Sequence, residues 1–102
     1  MKLYVLVRED LSHAQRAVQG GHAIAEFLKK YPKSEWNYGS LIFLGGMKDE
    51  EHLKSLYSEL QELAPTSKKA HFLEPFWDDS LTAVAILGDE FIKTYLKELP
   101  LL

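Results

Sequence analysis

The 102 residues contain no cysteine, so the chain forms no disulfide and offers no thiolate as nucleophile or metal ligand. That composition suits the cytoplasm, which is the expected location. Long apolar runs are also missing. The longest are short, such as Leu41 to Leu44, far below the ~20 residues that span a bilayer, so no membrane partner is expected. The opening MKLYVLVRED has no small-residue cleavage pattern and reads as a buried strand rather than a signal peptide. Net positive charge is absent, the balance being −3. A nucleic-acid partner would therefore have to use a local basic patch, because phosphate binding depends on released counterions. Candidates are Lys29-Lys30 with Lys33, and Lys68-Lys69. Each also reads as solvated lysines, and lysines in a last helical turn complement the helix dipole. The four histidines have no ligand spacing, so neither a metal nor another cofactor is expected. No Gly-x-Ser-x-Gly, glycine-rich phosphate loop or His-Glu-x-x-His occurs.

The composition is that of one globular domain over residues 1–102, with 46% hydrophobic residues and no repeat or linker. Lys2 to Val7 is apolar on both faces, as in a central strand covered on both sides. A helix follows from about Ser12 to Lys30, where Tyr31-Pro32 stops it. Its expected core face is Ala14, Val18, Gly21, Ala25 and Leu28, widened by Ala17, Ile24 and Phe27. Gly20-Gly21 costs about 1 kcal/mol per residue against alanine, and Gly21 is expected to let the helix lie close on the sheet. Pro32 to Gly39 reads as a loop, Ser40 to Leu44 as a second strand closed by Gly45-Gly46. Asp49 caps a second helix with the stripe Leu53, Leu56, Tyr57, Leu60 and Leu63, ended by Pro65. Ala70 to Glu74 and Leu81 to Leu87 are strands joined by a tight connection. Asp89 caps a last helix with Phe91, Ile92, Tyr95, Leu96 and Leu99 inward.

Strand–helix–strand–helix–strand implies parallel strands with right-handed crossovers, and the short third connection implies a hairpin. The expected fold is a three-layer α/β/α domain with a four-stranded mixed sheet, only the last strand antiparallel. Ligands in such sheets bind beyond the carboxyl ends of the parallel strands. Three segments meet there: Arg8 to Gln15, Glu74, and Thr82 at the start of the antiparallel strand. Ser12-x-x-Gln15 is a capping box. Gln15, Gln19, His22 and Glu26 then fall on one stripe of the helix, at spacings of four, three and four. A helix N-terminus at that edge favours an anionic ligand such as phosphate.

The turn Arg8-Glu9-Asp10-Leu11, the segment Gln19-Gly20-Gly21-His22-Ala23 and the strand Ser80-Leu81-Thr82 resemble the type II peptidyl-tRNA hydrolases. Those chains open with an apolar strand, an Arg-x-Asp-Leu turn and Ala-Gln-x-x-His-Ala, and carry a later Ser-x-Thr strand. Their Lys-Gly-Lys, counted back from Gln19, falls here on His13 and Gln15, with Arg16 adjacent. Their Asp-Ala-Gly-x-Thr-Gln is replaced by a shorter segment in which Glu74 stands at the aspartate.

The resemblance implies the same α/β fold and hydrolysis of the ester between peptide and tRNA. Water attacks the ester carbonyl, so the site must orient that water and stabilise an oxyanion. Glu74 or Asp10 is then the expected base, with His13 as the alternative; Thr82 and Gln19 orient by hydrogen bonds, and His22 completes the catalytic set. Arg16, Gln15, Lys29 and Lys30 are the expected substrate contacts, with Lys2 an alternative to Arg16 at phosphate. Each residue also has a plainer reading: Gln19 and His22 as packing beside the sheet, Asp10 as a turn terminator, Glu74 and Thr82 as strand positions. The alternative function is a non-catalytic binding or assembly module of the same fold. Trp36, Tyr38, Phe76 and Trp77 fall in loops, and exposed aromatic clusters often mark interfaces, so a homodimer is expected.

Overall fold

The computed structural model of the chain describes residues 1–36 and 39–102. Strand β1 (Lys2–Arg8) leads through a turn to helix α1 (His13–Lys30), then β2 (Leu41–Met47), α2 (Glu50–Leu63), β3 (Lys69–Glu74), β4 (Ser80–Gly88) and α3 (Glu90–Tyr95). The sheet order is β2-β1-β4-β3. β1 pairs parallel with β2, and β4 runs antiparallel to both β1 and β3. β1, β2 and β3 therefore share one direction, and their carboxyl ends define one edge together with the start of β4.

The all-apolar reading of β1 has a direct cause, because helices cover both its faces. Leu3, Val5 and Val7 pack with Ala83, Ala85 and Leu87 of β4 against Ala23 and Phe27 of α1. Tyr4 and Leu6 pack with Val84 and Ile86 against Leu53 and Leu60 of α2, and Ile92 of α3 joins them. Three layers result. Among the described residues, no helix is long and apolar enough to cross a membrane.

Caps fix the helix starts. Gln15 N donates to the Ser12 hydroxyl at 3.2 Å and Ser12 N donates to Gln15 Oε1 at 2.9 Å, closing the capping box. Asp49 and Asp89 accept from His52 N and Ile92 N at 2.9 and 3.1 Å.

Four expectations are corrected. The buried face of α1 is Gln19, Gly20, Ala23 and Phe27, one notch round from the expected stripe; Ala14, Val18, Gly21 and Ala25 face solvent. Gly20 is the glycine that touches the sheet, since a Cβ there would lie 2.5 Å from Phe43 Cε2, whereas one on Gly21 would meet nothing within 4 Å. Gly45-Gly46 does not close β2 but forms an irregularity inside it, where Gly46 takes φ +89° and the register with β1 shifts. Leu63 and Phe91 are about half exposed rather than inward. Beyond α3 the chain returns: Gly45 N donates to Pro100 O at 2.8 Å, Leu102 N donates to Phe43 O at 3.1 Å, and Leu101 bridges Leu44. This C-terminal segment lies along the free side of β2.

Candidate functional site

The site is built where β4 breaks its alternation. On β4, Ala83, Ala85 and Leu87 face α1, while Leu81, Val84 and Ile86 face the α2 layer. Thr82 is the extra residue: Phe72 opposes Ala83 and Leu73 opposes Leu81, so the register with β3 skips it. A bulge re-aims a side chain in this way. The Thr82 hydroxyl points to α1 and donates to Gln19 Oε1 at 2.7 Å, with Phe72 O a longer alternative acceptor at 3.4 Å. Gln19 is 3% exposed and Thr82 fully buried. A one-letter motif match in α1 and another in β4, 63 positions apart, thus become one hydrogen-bonded pair.

Glu74 ends β3 at the same sheet edge. It shares strand parity with Ala70 of the α1-facing core and with Phe72, whose ring stacks on His22 at 4.4 Å between centroids. Its side of the sheet is therefore the side that carries Gln19 and Thr82. Only 9% of Glu74 is exposed, and its carboxylate makes no hydrogen bond or ion pair with any described residue. Among the described residues no buried side-chain oxygen lacks a partner, so the Glu74 carboxylate oxygens reach solvent and present a carboxylate to water at the sheet edge. The chain turns directly after it. Asp79 N donates to Glu74 O at 3.0 Å, Pro75–Trp77 forms one helical turn, and Asp78 and Asp79 take left-handed φ values of 52° and 56°. Aspartate tolerates that region better than most side chains.

A second polar cluster, built on Arg8 and Asp10 of the turn motif, holds the bulge from the opposite layer. Arg8 Nη1 donates to Ser80 Oγ at 2.6 Å and to Leu81 O at 3.2 Å, and Leu81 N donates to Glu50 Oε2 at 2.6 Å. Both main-chain groups of Leu81, the residue before Thr82, are gripped by side chains. The other edge of Arg8 binds Asp10 at 2.9 and 2.5 Å. The bond to Arg8 holds the Asp10 carboxyl below the usual carboxylate range, and the Leu81 N–H does the same for Glu50. The sequence marked Arg8 and Asp10 through their shared turn and Ser80 through its strand, but carried no signal for Glu50.

The remaining candidates are dispersed. His13 does not join Gln19 and Thr82. It lines a shallow groove of about 320 Å³ on the β2 side, with Arg16, Ala17, Phe43 and Leu102. Arg16 donates to Leu11 O and Glu9 O at 3.0 and 2.7 Å, and Gln15 spends its carbonyl on the cap. Lys29 and Lys30 end α1, about 16 Å along the axis from Gln19 at 1.5 Å per residue. Lys30 donates to Lys69 O at 3.1 Å, and Lys29 lies 3.7 Å from Glu26. Lys69 is buried, donating to Ala64 O and Ser67 O, and burial lowers its pKa; Lys68 pairs with Glu35 at 2.8 Å. Trp36 is a buried anchor whose indole N–H donates to Ser40 O, Phe76 and Trp77 are exposed, and Tyr38 lies outside the described residues. Among the described residues, no group of three or more His, Asp and Glu is gathered as a metal site would need. No protein-family model matches the chain, and no curated protein matches it.

Proposed function

We propose that the chain is a cytoplasmic hydrolase of the type II peptidyl-tRNA hydrolase kind, cleaving the ester between peptide and tRNA at the edge formed by Gln19, Thr82 and Glu74. The observation that carries this reading is the buried Thr82–Gln19 hydrogen bond, because it joins the two motif residues on which the resemblance rests. Glu74, free of protein partners, accepts the proton of the attacking water. Gln19 has its carbonyl oxygen occupied by Thr82, which leaves its NH2 end as the donor for the developing oxyanion. His22 supports the site by stacking on Phe72 rather than by proton transfer.

The test is release of peptide from purified peptidyl-tRNA. Glu74→Gln is expected to lower turnover about 10²–10⁴-fold, as for loss of a general base, while the fold persists. Wild-type protein without activity leaves the second reading, a non-catalytic binding module. One observation favours that reading: both arginines spend their guanidinium groups on internal acceptors, so neither is free for phosphate.

A further inference from the structure

The two edges of the sheet are finished differently. β2 is covered by the chain's own residues 100–102. On β3, Lys68 O accepts from Leu87 N and Glu74 O from Asp79 N, so the even-numbered residues bond inward and Lys69, His71 and Leu73 turn their main-chain groups outward. The Lys69 groups are met by Tyr31 Oη at 3.4 Å and Lys30 Nζ at 3.1 Å. Among the described residues, nothing bonds the outward groups of His71 and Leu73. Charge is graded along this edge. Lys68, Lys29 and Lys30 lie at the start of β3, where Lys68 pairs with Glu35 and Lys29 with Glu26 and Lys30 is in excess, and Glu74, Asp78 and Asp79, none of them ion-paired with a described residue, lie at its end. Beside the acidic end, Phe76 is 90% exposed, with Trp77 and Leu73 also exposed.

We propose that β3 is a self-association edge, at which a second copy of the chain pairs its own β3 antiparallel to form one continuous sheet. Open strand edges template this pairing, and an isologous contact requires a surface complementary to itself. The charge gradient meets that requirement, because antiparallel pairing sets each basic end against the partner's acidic end. With the two-fold axis at Phe72, His71 exchanges main-chain hydrogen bonds with the partner's Leu73, and Ala70 lies opposite the partner's Glu74, where each strand ends. A parallel arrangement, or a negatively charged strand, would not satisfy the gradient. The pairing stands whether or not the chain hydrolyses an ester.

The test is sedimentation of the intact chain to ~1 mM, with amide hydrogen exchange. The mass is expected to rise from 11.7 kDa toward twice that value, with the His71 and Leu73 amides protected only in the dimer. Leu73→Pro removes an N–H that points outward and leaves the β3–β4 ladder intact; it should stay monomeric with an unchanged circular dichroism spectrum. Leu73→Lys, a blocking charge at an exposed position, serves if the proline variant unfolds. Asp78→Asn with Asp79→Asn keeps the left-handed turn and should weaken dimerisation several-fold and flatten its salt dependence. A wild-type mass of 11.7 kDa throughout, or a folded Leu73 variant that dimerises like wild type, overturns the proposal.

Discussion

Alanine at Gly20 and at Gly21 should have unequal effects, although the residues are neighbours in one helix. Both changes restore about 1 kcal/mol of helix propensity. At Gly21 that gain is unopposed, because the new methyl enters open space. At about 4–8 °C per kcal/mol for a domain of this size, Gly21→Ala should raise Tm by that amount. At Gly20 the methyl would sit 2.5 Å from Phe43 Cε2, with Phe43 Cζ at 3.2 Å and Cδ2 at 3.4 Å. The ring must retreat by about 1 Å to reach ordinary contact, a crowding that typically costs 1–3 kcal/mol. Phe43 lines the shallow groove shared with Leu102, so the ring has room and the cost falls toward the lower end. Gly20→Ala should therefore leave Tm at or a few degrees below wild type. Thermal melts of the two variants side by side isolate the packing cost, since the propensity gain cancels in the difference. Equal stabilisation at both sites would refute the assignment of Gly20 to the sheet-facing side.

Thr82→Val keeps shape but leaves Gln19 Oε1 buried without its donor, which should cost about 1–3 kcal/mol by denaturant unfolding, whereas Thr82→Ser keeps the donor and should lose less. A valine variant as stable as the serine one would remove the bond from the account. Tyr95 is pushed up to about 12, first by burial and then by its bond to Glu59. The unfolded chain ionises Tyr95 near its ordinary value of 10.0, so this contribution to stability is complete below that pH and is lost as pH rises toward about 12. Burial also raises Tyr4 and Tyr57, so a spectrophotometric titration should show Tyr95 among the late tyrosines, and Glu59→Gln should bring the Tyr95 titration to lower pH.

Strand number and direction were legible because short apolar runs alternate with capped helices, and few topologies satisfy right-handed crossovers with one hairpin; the order β2-β1-β4-β3 came only from the structure. The face of α1 was not legible for a specific reason. Small apolar residues ring the helix, at Ala14, Ala17, Val18 and Ala25, while the buried face holds Gln19 and Gly20, which carry little hydropathy. Gln19 and Thr82 were expected at one edge, but the bond between them was not legible from strand alternation. Strict alternation puts Thr82 on the α2 side of β4, and only the bulge turns it to α1. Lys69 looked like a solvent-facing charge because its two acceptors, Ala64 O and Ser67 O, arise from the chain path after α2. The return of residues 100–102 to β2 is a long-range pairing that no local pattern encodes.

That return gives the sheet a valence. Strand addition at an uncovered edge is a polymerisation chemistry: each newcomer presents a fresh edge, and growth stops only when one side is blocked. Here Pro100–Leu102 acts as an intramolecular cap on the middle of β2, taking up Phe43 O and Gly45 N, so a strand arriving on that side finds those groups occupied. A sheet with one reactive side can join another such sheet once and then has none left. Residues 100–102 thereby favour a protein that pairs over one that propagates into a fibre.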